Sequence, residues 1–370
     1  MLAPFDPPLR ALMGPGPSDA PPSVLRAMSA PLIGHLDPRF IDAMNEVRTM
    51  LQQILRTTNE VTFALSAPGS GGMELCLVNL LEPGDEAVVC VNGVFGGRMA
   101  DIVERCGARL HRIDVPWGRP VLPDDLAPVL ARVRPKLVAV VHAETSTGVR
   151  TPLEPLSELT HAAGALFVVD AVTSLAGIDV RVDDWRIDAL YSGSQKCLSA
   201  PPGLSPVTIG PAAMEAVRRR RTKVQSWFLD LTLLAGYVTG GAGRIYHHTA
   251  PVAALLALHE ALRLVLVEGL EARFERHRRV HEYLREGLEA LGLRFVVEPA
   301  YRLPHLNLVW APEGVNEAAI RRELLDTYGI EIGGGLGEFA GKAWRIGIMG
   351  GSCTLGHVDR LLAALRRLLR

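Results

Sequence analysis

The sequence predicts an α/β fold: a large domain with a mostly parallel central sheet flanked by helices, followed by a smaller C-terminal α+β domain. Three observations carry this. From Val61 onward, short β-rich runs alternate with helix-patterned stretches, the pattern of a parallel sheet covered by helices on both faces. Several of those runs, such as Leu137-Val-Ala-Val-Val141, are apolar without alternation, as strands buried on both sides are. Past about Pro251 the texture changes to a long helical stretch with few breakers and denser charge.

The elements follow in order. Residues 1–20, with Gly14-Pro-Gly-Pro17, read as an extended arm. Helical periodicity covers 37–56, and strands are expected at 61–65, 87–91, 110–113, 137–141, 166–169, 189–192 and 206–209. Together with their helices they form the large domain, 21–251. The small domain, 252–370, opens with helical sequence over 252–291 carrying a glycine at 269. An apolar run at 306–310, a helix over 316–328, strands near 330–332 and 344–348, and an amphipathic helix over 355–369 complete it.

At 370 residues and 48% hydrophobic, the chain can bury a large core. Its 39 basic and 40 acidic residues leave a net charge of −1, so no global field recruits nucleic acid or an anionic membrane, and neither is expected as a partner. Five cysteines (Cys76, Cys90, Cys106, Cys197, Cys353) form an odd set without C-x-x-C spacing. That argues against zinc and a disulfide framework and for a reduced, cytoplasmic setting. The opening Met1-Leu-Ala-Pro-Phe lacks the charged-then-apolar order of a signal peptide, and no apolar run approaches the ~20 residues of a membrane span. The basic run Arg218–Lys223 reads as a solvated helix end.

The chemistry concentrates at predicted strand ends, where open α/β sheets bind ligands. Ile187-Asp-Ala-Leu-Tyr191 runs into small polar residues, then a lone lysine, Lys196, then prolines and glycine. The buried-strand pattern Leu166-Phe-Val-Val169 ends in Asp170. A lysine able to form a Schiff base and a carboxylate able to hold a pyridinium nitrogen are the minimum for pyridoxal phosphate chemistry. Ser66-Ala-Pro-Gly-Ser-Gly-Gly-Met-Glu74 joins a strand to a helix, a suitable phosphate cradle although no Gly-Lys-Ser/Thr of a P-loop closes it. The motifs Pro15-Gly-Pro-Ser18, Leu81-Glu-Pro-Gly-Asp85, Asn92-Gly-Val-Phe-Gly96, His142-Ala-Glu-Thr-Ser-Thr-Gly148, Tyr246-His-His-Thr249, Gly333-Gly-Gly-Leu-Gly337 and Trp344-Arg-Ile-Gly347 extend the pattern along nearly the whole chain.

In this order the motifs resemble the class V aminotransferases of fold type I, in the alanine–glyoxylate and serine–pyruvate aminotransferase branch. The resemblance implies transamination of a small L-amino acid, alanine or serine, with glyoxylate or pyruvate, in two half-reactions through pyridoxamine phosphate. It implies Lys196 as the Schiff-base lysine and proton carrier, and Asp170 as the partner of the pyridine nitrogen. Phe95 would stack on the ring, Thr145 would face its hydroxyl side, and Gln195, Gly69 and Ser70 would surround the phosphate. Pro68 and the glycines after Ser70 depart from the forms of that loop bearing serine and histidine. Tyr246 and Thr249 would reach the phosphate of the neighbouring subunit, implying a homodimer with shared active sites. Arg345 would grip the substrate carboxylate, with Gly16 and His35 also on the substrate side. Burying an arginine between Trp344 and Ile346 requires a ligand or an internal carboxylate as partner. His142, His247 and His248 read as structural.

Ureidoglycine–glyoxylate transamination is the alternative; branch members acting on that donor carry glutamine where His35 stands. A cysteine desulfurase-like lyase needs a cysteine ahead of Arg345, and 333–345 has none. A non-catalytic protein of the same fold would have no need of Lys196, Asp170 and Arg345 together.

Overall fold

The computed structural model describes residues 2–239 and 244–369. Its central sheet has seven strands. They run from the edge strand Val61–Leu65 through Ser205–Ile209, Ala189–Tyr191, Leu166–Asp170, Leu137–Val141 and Glu86–Val91 to Arg109–Asp114. All pairings are parallel except those of Ser205–Ile209, which opposes both neighbours. Each expected strand is present, with ends displaced by at most a residue or two.

Both faces of the sheet are covered, which explains the unbroken apolar runs. Val88, Val138, Val140, Phe167 and Val169 point into one core with the helices Pro22–Met28, Pro38–Leu55 and Val252–Glu268. Their neighbours Ala87, Val89, Leu137, Ala139 and Val168 point into the other, against Gly69–Leu80, Val94–Arg105 and Pro211–Arg218. Successive side chains of a strand take opposite faces, so a strand between two helical layers must be apolar at every position.

The helical sequence over 252–291 is two helices, Val252–Glu268 and Leu270–Ala290, divided by Gly269 at φ +83. The first lies beyond the boundary expected at 251, yet it packs on Pro22–Met28 and Pro38–Leu55. The change of core comes after Gly269. There, Leu284, Leu324, Trp344, Leu361 and Leu365 enclose a separate centre around the antiparallel sheet Leu306–Trp310, Ala343–Gly347, Gly333–Gly334.

The strand expected at 330–332 does not join that sheet. Ile330–Glu331 pairs in parallel with Ala11–Leu12 of the arm, and Gly347 donates its N–H to Met13 at 2.7 Å. A Cβ on Gly347 would stand 1.9 Å from the Gly14 carbonyl oxygen, so glycine is required where arm and strand cross. The arm then enters the sheet's carboxyl end, where Ser18 N–H donates to Gln195 O at 2.9 Å and Ser18 Oγ to Lys196 O at 2.7 Å.

The basic run 218–223, expected to be a solvated helix end, is not solvated throughout. Arg220 is half-buried and donates to the carbonyls of Asn79 and Leu81 at 2.9 and 2.6 Å. It ties the C-terminal end of Gly69–Leu80 instead of reaching solvent. Among the described residues no helix is long and apolar enough to cross a membrane, and no cluster of His, Cys, Asp and Glu could hold a metal ion.

Candidate active site

Asp170 ends its strand opposite Val141 on one side and Tyr191 on the other. Its carboxylate, 2% exposed, accepts hydrogen bonds from Val172 N–H at 2.8 Å and Tyr191 OH at 2.9 Å. Burial outweighs both and pushes its pKa up to about 7, with the Glu144 carboxylate adding to the rise. Lys196, 8% exposed, donates from Nζ to the Pro15 carbonyl. Burial lowers the ammonium pKa to about 8, aided by the Arg345 charge. A Cβ on Gly16 would stand 2.7 Å from Lys196 Nζ, and φ there is +109. Gly16 thus lies against the lysine head, and only glycine suits that approach.

The strand Leu306–Trp310 and Gly333–Gly334 flank Arg345. Arg345 Nε donates to Gly334 O at 2.8 Å, and Nη1 reaches Thr145 O at 3.4 Å. Neither partner is a carboxylate, and no ion pair to Arg345 forms among the described residues. Burial lowers its pKa to about 10. No internal carboxylate contacts it; Glu144 acts on it only through its charge, and the remaining guanidinium donors are available to a ligand.

Gly69 begins the helix Gly69–Leu80 after Pro68, with Ser70 exposed beside it. A Cβ on Gly69 would lie 3.0 Å from Val172 Cγ2, and one on Gly72 2.2 Å from Ser205 Oγ. The glycines therefore let this helix end close onto the loop after Asp170 and onto the strand Ser205–Ile209. Gln195 Oε1 is buried without a hydrogen-bond partner. Phe95 is half-buried under the Arg98 guanidinium, whose Cζ stands 4.9 Å from the ring centroid. Thr145 Oγ1 shares a hydrogen bond with Thr173 Oγ1.

The structure does not bring every expected residue to this centre. Tyr246 and Thr249 are exposed, linked to each other at 3.2 Å, and Tyr246 lies 5.5 Å from His35, ring to ring. His248 donates to or accepts from Ser66 at 2.7 Å, and His247 stacks on Trp227 at 4.5 Å. His142, fully enclosed beside Trp185, has its pKa lowered to about 3 by burial. Cys353 is buried and free.

The sequence reading assigned nothing to Glu144. It is fully buried, and its carboxylate accepts from Phe95 N–H at 3.2 Å, Gly96 N–H at 3.3 Å and Ser146 Oγ at 2.6 Å. It thereby caps the helix Val94–Arg105 and sets Phe95 in place. An acidic residue amid small neutral neighbours in 142–148 was the available signal. Tyr191, the donor to Asp170, carried none beyond its place at a strand end.

Fold and site together define a fold type I pyridoxal-phosphate-dependent transferase. The aminotransferase class-V family model matches residues 11–339, and the chain belongs to that family. It is 41% identical to an alanine–glyoxylate aminotransferase of Callithrix jacchus, over 100% of this chain and 90% of that protein. It is 38% identical to an (S)-ureidoglycine–glyoxylate transaminase of Bacillus subtilis, over 98% and 91%. The crystal structure of an alanine–glyoxylate aminotransferase from Nostoc sp. superposes with a TM-score of 0.98 at 47% identity, covering 100% of this chain and 98% of that one.

The protein is a pyridoxal-phosphate-dependent transaminase, and the residues present fit that cofactor. The backbone N–H groups of the glycine-built helix end and the buried Asp170 offer polar groups to its two ends. A lysine whose pKa lies near 8 supplies the neutral amine the cofactor aldehyde requires.

Proposed function

We propose that this enzyme transfers the amino group of a small L-amino acid, alanine or serine, to glyoxylate or pyruvate. The observation that carries the reading is the convergence of three groups in one crevice: Lys196 with a depressed pKa, the buried Asp170, and Arg345 without a carboxylate partner. Relatives named for alanine and glyoxylate support the choice of substrates.

Bound in the site, pyridoxal phosphate supplies an electron sink for the negative charge left when the substrate Cα–H bond breaks. Asp170 would hold the ring nitrogen in its protonated form; Tyr191 OH and Val172 N–H keep that carboxylate aimed. Gly69, Ser70 and Gln195 would hold the phosphate, Thr145 the ring hydroxyl side, and Phe95, set by Glu144, would cover the ring. Arg345 binds the substrate carboxylate with its free donors, a planar fork against a planar anion. That contact orients the Cα–H bond toward Lys196. The Lys196 amine, with its pKa near 8 and so partly neutral in the working range, would be the base that takes the Cα proton and carries it on Nζ. Gly16 and the Pro15 carbonyl limit the space around that amine, which favours small donors.

We further propose a homodimer in which Tyr246 and Thr249 complete the phosphate site of the neighbouring subunit; their exposure on the surface that carries His35 supports it. The arm, the large domain and the small domain meet at this crevice in the proposed division. A second donor, (S)-ureidoglycine, is favoured by the Bacillus subtilis relative and opposed by His35 where branch members acting on it carry glutamine.

The test is a half-reaction. L-alanine, L-serine or (S)-ureidoglycine is added to the holoenzyme without an acceptor while visible absorbance is followed. Bleaching by alanine or serine is expected. Bleaching by ureidoglycine alone would replace the proposed donor.

A further inference from the structure

A charged cluster outside the reacting groups reaches the lysine loop from behind. Glu268 closes one long helix, Gly269 turns the chain, and Arg273 and Arg276 stand near the start of Leu270–Ala290. Cations at that end oppose the helix dipole, so their placement needs compensation. Glu268 supplies part of it, meeting Arg273 Nη1 at 2.5 Å and Arg276 Nε at 2.6 Å.

Backbone carbonyls supply the rest. Arg273, 5% exposed, donates from Nε to Ala176 O at 3.1 Å and from Nη2 to Cys197 O. Cys197 follows Lys196 directly, and Ala176, at φ +63, closes the loop that begins at Asp170. Arg276 donates to Gly350 O at 3.0 Å and Cys353 O at 2.8 Å, just past the strand of Arg345. The two loops interlock, since a Cβ on Gly350 would lie 2.7 Å from Cys197 O. One carboxylate therefore anchors the lysine loop and the exit of the Arg345 strand to the same helix.

We infer that Arg273 is a positioning residue for Lys196: by holding the Cys197 and Ala176 carbonyls it fixes the loop that keeps the lysine amine buried. The inference rests on Lys196 being the cofactor lysine. Without Arg273 the loop loosens, water reaches the amine, and its proton affinity climbs back toward that of an exposed lysine.

The experiment follows uptake of pyridoxal phosphate by cofactor-free enzyme, through the rise of visible absorbance, as a function of pH. Only the neutral amine condenses with the cofactor aldehyde, releasing one water, so the rate tracks deprotonation of Lys196. The wild-type midpoint is expected near pH 8. In Arg273→Met it should move up by about one unit, slowing uptake about tenfold below pH 8. Arg220→Met, which removes another half-buried arginine bonded to carbonyls, should lower the melting temperature and leave the midpoint unchanged. If Arg273→Met is not recovered folded, Arg273→Lys decides; it keeps the charge facing Glu268 but loses the two-armed reach, and an upward shift is again expected. A lowered melting temperature with an unmoved midpoint overturns the positioning role. No uptake by wild type, or the same absorbance in Lys196→Met, overturns instead the reading of Lys196.

Discussion

Asp170 and Lys196 hold opposite deviations from their ordinary pKa values, and each carries a stability consequence in the cofactor-free protein. Asp170 rises from 3.8 to about 7. Between those values the folded state binds a proton that the unfolded chain lacks, so stability falls as pH climbs from about 4 to 7, by about 4 kcal/mol. Lys196 falls from 10.5 to about 8. There the unfolded chain binds the extra proton, so stability rises as pH climbs from about 8 to 10.5, by about 3 kcal/mol. Asp170→Asn should therefore stabilise the cofactor-free protein at pH 7.5 by about 2–3 kcal/mol, the gain fading as pH drops toward 4, while transamination falls at least about a hundredfold. Lys196→Met should stabilise it at pH 7 by about 2 kcal/mol after the lost bond to Pro15 O is counted, with the gain vanishing near pH 10.5 and turnover abolished. Urea unfolding across pH reads both, and variants no more stable than wild type at neutral pH would contradict the burial argument. Lys196, Asp170 and Arg345 stood out because each is an ionisable residue in an apolar or glycine-rich context, and the fold brings the three near one another. Arg345's actual partners, two carbonyl oxygens, were not legible, since backbone acceptors leave no mark in a sequence.

The helix Val94–Arg105 has no side-chain cap from its own preceding residue, Gly93. Its cap comes from Glu144, some fifty residues away, and Gly93 is small because a Cβ there would stand 2.4 Å from the Glu144 carboxyl carbon. Glu144→Ala leaves the Phe95 and Gly96 N–H groups and Ser146 Oγ without their acceptor and should cost about 2–4 kcal/mol in chemical unfolding. Glu144→Gln retains an acceptor and, because burial raises the Glu144 pKa, removes a charge that folding disfavours at neutral pH, so it should cost less than half as much. Equal losses would mean that the negative charge at the helix end, not the acceptor geometry, does the holding. The strands of the central sheet were legible to within a residue or two because helices on both faces impose an apolar residue at every position. The strand at 330–331 was legible as a strand but not in its pairing, because its partner, Ala11–Leu12, is two residues long within proline-rich sequence. Likewise, Gly269 was visible within one helical stretch but not as the break it makes, and the arginines beyond it showed only as denser charge; only the fold reveals that Arg273 turns inward to the lysine loop and Arg276 to the carbonyls past the Arg345 strand.

At the scale of the molecule, the proposed homodimer has an exposed apolar surface to draw on. Leu32 is 78% exposed, Ile245 69% and Trp227 63%, with Leu36 and Tyr246 also open to solvent. The contacts His35–Tyr246 and Trp227–His247 join these residues into neighbouring stretches of one face. A contiguous exposed apolar patch marks an association surface, and closed two-fold dimers are the commonest way to cover such a patch with a copy of itself. The segment bearing Tyr246 and Thr249 lies on that face, so association and cofactor binding should be coupled. Leu36→Asp with Ile245→Asp places charges in the covered surface, where unpaired charge is costly to bury. Sedimentation equilibrium should give twice the 40.0 kDa chain mass for the wild type and the single chain mass for the double variant. The double variant should also bind pyridoxal phosphate more weakly by at least about tenfold, because binding to the associated form alone links the two equilibria. A wild-type enzyme that sediments as a single chain with full cofactor occupancy would remove Tyr246 and Thr249 from the site and leave the phosphate to Gly69, Ser70 and Gln195.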